Sequence, residues 1–144
     1  LRTKSEFTED RDIDLLQVFN DVVRNYNVKS QCEALRIALD KPSKRYYVTP
    51  ECVCKAISRI RRGDDLPEMK PSSRLMYFEL YRLYCEVKSR KPALPNNQVC
   101  ELIVELPASR FFVSMGTAVK IINRQRKIEQ CKKLNLLSQY RHSR

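Results

Sequence analysis

Residues 42–62 read Pro-Ser-Lys-Arg-Tyr-Tyr-Val-Thr-Pro-Glu-Cys-Val-Cys-Lys-Ala-Ile-Ser-Arg-Ile-Arg-Arg. Residues 107–127 read Pro-Ala-Ser-Arg-Phe-Phe-Val-Ser-Met-Gly-Thr-Ala-Val-Lys-Ile-Ile-Asn-Arg-Gln-Arg-Lys. Without a gap, Pro42/Pro107, Arg45/Arg110, Val48/Val113, Lys55/Lys120, Ile57/Ile122, Arg59/Arg124 and Arg61/Arg126 are identical, and Tyr46-Tyr47 corresponds to Phe111-Phe112. Self-similarity at this period predicts two copies of one supersecondary unit.

The composition points to helices. The chain has two glycines, too few for a protein built from tight hairpins or for a phosphate-binding glycine loop. Thr8 followed by Glu9 and Asp10 predicts a first helix with Ile13, Leu16, Phe19, Val22 and Val23 inward, ending near residues 25–27. Ser30-Gln31-Cys32-Glu33 is a capping box that opens a second helix with Ala34, Leu35, Ala38 and Leu39 buried. Thr49 and Pro50 open the third, in which Val53, Ala56, Ile57 and Ile60 form the apolar stripe and Gly63 closes the helix. The second copy repeats the pattern: a helix from Leu75 to near Ser89, a short one over residues 98–106, and a last one after Ser114. That last helix has no internal proline and no closing glycine, so it is expected to run on through Ile128 and Cys131 toward Leu137. The expected architecture is all-α, with two tandem three-helix units at residues 1–65 and 73–144, joined by a linker at 66–72 that carries Pro67 and Pro71.

The 42% hydrophobic and 31% charged content suits a soluble globular chain of 144 residues. No apolar run approaches the length of a membrane span, and no signal peptide precedes the acidic segment at residues 9–14. A cytoplasmic protein without a membrane partner is the expectation. The chain opens on Leu1 rather than Met, which leaves room for native residues upstream.

The six cysteines do not recur between the copies. Cys32 corresponds to Asn97, Cys52 to Thr117, Cys54 to Val119 and Cys100 to Leu35, whereas a staple or a metal site would be kept in both. Reduced, mostly buried thiols are expected, with no metal and no cofactor. The one histidine, His142, is in the tail, and the carboxylates gather at helix starts where capping explains them. No general base, no nucleophile beside one and no small-molecule substrate site is read, so the chain is not expected to be an enzyme.

Charge carries the functional signal. The net charge is +11. Residues 1–65 hold 13 basic and 11 acidic side chains, residues 66–144 hold 15 and 6, and from Arg110 onward nine basic residues face one acid, Glu129. Such asymmetry points to an anionic partner. Lys120, Arg124 and Lys127 recur along one helix line, as Lys55, Arg59 and Arg62 do in the first copy. Arg61, Arg126, Lys132 and Lys133 add to the two clusters. Cations at a helix C-terminus also suit the helix dipole without any partner. The number of cations on the last helix exceeds that need and fits a phosphate backbone. In the repeated loops, Arg45 and Arg110 either cap the ends of the preceding helices or meet phosphate, and one aromatic of each pair is expected to plug the core.

The order helix, helix, basic third helix resembles the helix-turn-helix and homeodomain-like trihelical DNA-binding domains. The Pro-x-x-Arg-aromatic-aromatic-Val-Ser/Thr phrase is also similar to one in a family of small bacterial proteins without an assigned activity. The resemblance implies a nucleic-acid partner, with duplex DNA favoured over RNA. Two features depart from the pattern. The connection at residues 41–48 is longer than a tight turn. The positions that usually read bases hold Pro50 and Glu51, or Met115 and Gly116, so binding is expected to be dominated by the backbone. The rival reading is a protein-interaction or scaffolding module. In it the last helix docks to a partner or to its own copy, and its stripe of Ile128, Cys131, Leu134 and Leu137 is either a homodimer seam or a cover for the first copy.

Overall fold

The computed structural model describes residues 4–142, so residues 1–3 and 143–144 of the two expected units lie outside it. It holds six helices: α1 (Lys4–Asn25), α2 (Gln31–Leu39), α3 (Pro50–Arg61), α4 (Pro71–Arg90), α5 (Asn96–Val104) and α6 (Met115–His142). Among the described residues there is no strand, and no helix is long and apolar enough to cross a membrane.

Local chemistry sets the helix starts. The Ser30 hydroxyl accepts from the Glu33 N–H at 3.1 Å, and the Glu33 carboxylate accepts from the Lys29 N–H at 2.8 Å. Thr49 accepts from the Cys52 N–H and Ser114 from the Thr117 N–H. The three bonds from Glu33, Cys52 and Thr117 satisfy backbone donors that the first helical turn leaves free, and the Glu33 carboxylate fixes the residue before the cap. Gly63 ends α3 in the left-handed region at φ 90°, where a residue without Cβ is least strained. The segment to α4 is a built turn rather than a loose linker: Leu66 is fully buried, and its N–H donates to Asp64 at 2.8 Å.

The helices do not pack as tandem units. One core joins Leu15, Leu16, Phe19 and Val22 of α1, Ala34, Leu35, Ala38 and Leu39 of α2, and Ala118, Ile121 and Ile122 of α6. The other joins Val53 and Ile57 of α3, Leu80 and Tyr84 of α4, and Val99, Cys100, Ile103 and Val104 of α5. α3 packs on α4 and α5, and α6 packs on α1 and α2. The expected grouping of α1–α3 and α4–α6 is therefore corrected: the third helix of each half packs on the first two helices of the other. The physical reason is the reach of the connections. Ten residues separate α2 from α3 and ten separate α5 from α6, ample to carry a helix across to a second hydrophobic face.

The two connections cross each other, antiparallel. Ser43 and Ala108 exchange backbone hydrogen bonds at 3.2 and 3.1 Å. The Tyr46 N–H donates to the Val104 carbonyl and the Phe111 N–H to the Leu39 carbonyl, both at 3.1 Å. These two bonds join positions that differ by 65 residues, donor from donor and acceptor from acceptor. Tyr46 and Phe111 plug the second and the first core respectively, as one aromatic of each pair was expected to do.

Two side-chain expectations change. Ile13 and Val23 of α1 are exposed, and Leu15 replaces them in the core. The cysteines are not mostly buried: Cys32, Cys52, Cys85 and Cys131 are exposed, Cys54 is half-buried and Cys100 alone is buried. Polar neighbours on amphipathic helices leave those four positions on outer faces, where a small thiol costs little.

Candidate nucleic-acid interface

The repeated arginines serve the crossing. Arg45 is buried: its Nε donates to the Tyr46 carbonyl, its Nη1 pairs with Glu105 at 3.0 Å, and its guanidinium lies 4.6 Å from the Phe7 ring centroid. Arg110 is half-exposed and lies 3.7 Å from Asp40, with Nε buried and lacking a hydrogen-bond partner. Asp40 and Glu105 occupy the C-caps of α2 and α5. Each arginine thus pairs with an acid at the end of a helix from the other half. Arg45 is unavailable to a phosphate, and Arg110 is available only in part.

The cluster that ends α3 is partly neutralised as well. Arg59 pairs with Asp64 at 2.9 Å and also with Glu68. The hydrogen bond from Arg59 holds the Glu68 carboxyl down at about 2. The Leu66 N–H, and then Arg59, lower the pKa of Asp64. Arg61 reaches the Tyr84 hydroxyl at 3.4 Å. Lys55 and Arg62 are exposed and take part in no ion pair among the described residues. These cations stand on the lobe of α3, α4 and α5, apart from α6.

α6 holds the rest. Its first three turns pack against α1 and α2, and from Arg126 to Arg141 every side chain is exposed. Lys120, Lys127, Lys132 and Lys133 make no ion pair among the described residues. Arg124 is clasped by Asp12, a buried carboxylate of α1 that Arg11 also holds at 3.0 Å. Arg126 lies 4.9 Å from the Phe19 ring centroid and donates to Gln31 at 3.5 Å. Lys120, Arg124, Lys127 and Lys132 line one shallow depression on the outer face of α6. At about 100° per residue, Arg126 and Lys133 fall on another flank.

The twelve expected residues are therefore not one surface. Arg45, Arg59, Arg110 and Arg124 face carboxylates, and the others divide between two lobes. What is brought together is the outer face of α6. Arg141 joins it on the same exposed helix; the missing helix stop after Ser114 was the signal for it, and only the reach of the helix was underestimated. The apolar residues Ile128, Cys131, Leu134 and Leu137 do not share one face of α6. At three-residue spacing, successive side chains drift by about 60° round an α-helix, so they wind half-way around it.

Comparison with protein-family models, curated proteins and solved structures finds no match. The functional reading rests on the geometry of α6. Among the described residues, no three His, Cys, Asp or Glu side chains gather as a metal site.

Proposed function

We propose that the protein is a non-catalytic nucleic-acid-binding protein that grips the phosphate backbone of duplex DNA with α6. The observation that supports this reading is the free length of that helix. Lys127, Lys133 and Arg141 project there beside the helix's single acid, Glu129; Arg126, seated against Phe19, and Lys132 flank them, and none of the five makes an ion pair among the described residues. Lysines on a solvated helix displace condensed counterions when they meet phosphates, which yields affinity without base reading. We also read the chain as a duplication. In that reading α1, α2 and α6 keep the helix, helix, basic third helix order of the trihelical resemblance, the third helix coming from the other half.

The test is binding to random-sequence duplex DNA across a salt series, compared with a Lys127→Glu/Lys132→Glu/Lys133→Glu variant. Affinity is expected to fall steeply with salt, and the logarithmic slope to become shallower by about 2–3 in the variant. Absence of binding at low salt, or an unchanged slope, counts against the proposal.

One observation favours the interaction module instead. Leu134, Leu136 and Leu137 near the end of α6 are 60%, 65% and 55% exposed. Leu136 and Leu137, with Tyr140 one turn on, share a face on which a partner helix could lie. A Leu136→Glu/Leu137→Glu variant that dissociates an oligomer in sedimentation while leaving the salt slope intact would support that reading over the first.

A further inference from the structure

Cys54 on α3 and Cys100 on α5 meet across the second core. Their sulfurs are 2.9 Å apart, with Cys54 the donor. A bonded pair lies at about 2.05 Å, so closure requires a movement of only about 1 Å. The two helices pack directly on one another, Cys100 is fully buried and Cys54 is half-buried. One sulfur can be reached from solvent and the other is sheltered behind it. At the positions 65 residues away, Val119 and Leu35 stand instead. Packing at this site does not demand sulfur, and the sulfur pair is confined to one lobe.

We propose that Cys54 and Cys100 form a redox-active dithiol that closes to an intramolecular disulfide by exchange with a low-molecular-weight disulfide such as oxidised glutathione. Cys54, as thiolate, attacks one glutathione sulfur and breaks the S–S bond. The product is a mixed disulfide, and the first glutathione leaves as thiolate. Cys100 then gives its proton to water, its sulfur attacks Sγ of Cys54, and the second glutathione leaves. Two protein thiols are oxidised by two electrons and one glutathione disulfide is reduced to two thiols. Burial, and then the hydrogen bond from Cys54, raise the pKa of Cys100. With Cys54 the sulfur that solvent reaches and Cys100 sheltered behind it, Cys54 is the entering nucleophile and Cys100 the resolving one. The bond would tie a helix of the first half to a helix of the second and close a loop of 46 residues. This inference does not depend on what α6 binds.

The experiment uses the full chain carrying Cys52→Ser, so that the tryptic peptide of residues 46–55 holds Cys54 alone. The folded protein is incubated with oxidised glutathione, quenched with N-ethylmaleimide, digested and mapped by mass spectrometry. The expected result is a disulfide between that peptide and residues 91–110. It should be accompanied by a rise in melting temperature of at least about 5 °C that dithiothreitol reverses. Cys54→Ser, at a half-exposed site, should keep the reduced melting temperature and lose both changes. A glutathione adduct that stays on Cys54, bonds to other cysteines in place of this one, or a bond without a melting shift would overturn the proposal.

Discussion

Arg45 and Arg110 match in the sequence, yet their surroundings assign them different weights. Arg45 stands over Phe7 with its guanidinium shared between Glu105 and a backbone carbonyl, whereas Arg110 meets Asp40 loosely and in solvent. Arg45→Ala is expected to lower the unfolding free energy in urea by about 2 kcal/mol, and Arg110→Ala by less than about 1 kcal/mol. Arg45→Ala should leave the salt slope of the proposed DNA binding unchanged, because the side chain is buried and held by Glu105. The tyrosines beside them give a pH signature. Burial, then hydrogen bonds to Glu79 and Asp14, push the phenols of Tyr46 and Tyr47 well above 10. A folded pKa above the unfolded one favours the neutral phenol. Its contribution is complete below pH 10 and is lost as the pH climbs past it toward the folded value. Melting temperatures recorded from pH 9 to 12 should fall less steeply in Tyr47→Phe than in the parent. At neutral pH that variant should be less stable by about 1 kcal/mol, since Asp14 then loses the Tyr47 hydroxyl and keeps the Lys44 N–H.

At the scale of elements, the difference between α3 and α6 comes down to one position. Gly63 closes α3 at φ 90°, and 65 residues on stands Ile128, which no such turn suits. α3 therefore stops and turns into α4, while α6 runs on for four further turns into solvent. A Cβ at Gly63 would meet nothing within 4 Å, so Gly63→Ala should cost only the backbone strain, about 1 kcal/mol in urea unfolding. This much was legible in the sequence. Thr49, Ser30 and Gly63 carry signals that act within a few residues, and the helices begin and end close to them. The start of α1 was less so: it begins at Lys4, before the good cap at Thr8, because Phe7 is buried by tertiary contact. On α6, the line of Lys120, Arg124 and Lys127 could be read from spacing. That Asp12 would take hold of Arg124 could not, because the two are 112 residues apart.

For the whole molecule, the apolar stripes announced which faces are buried and were silent about what covers them. α3 presents the same Val53, Ala56 and Ile57 whether it lies on α1 and α2 or on α4 and α5. Only the crossing at Ser43 and Ala108, a pairing over 65 residues, decides between these arrangements. The exchange has a consequence that tandem units would not share. A break in the turn between α3 and α4 leaves residues 1–65 with two helices of one core and one of the other, and residues 66–144 with the complement. Neither fragment can cover its own apolar faces, since a pair of amphipathic helices lacks the third that seals it. Each fragment alone is expected to show weak helicity and no cooperative thermal transition by circular dichroism. Mixing at equal concentration should restore both, with a melting temperature that rises with protein concentration as association requires. A monomeric fragment of residues 1–65 that melts cooperatively by itself would mean that α3 returns to α1 and α2, and the exchanged packing would fall.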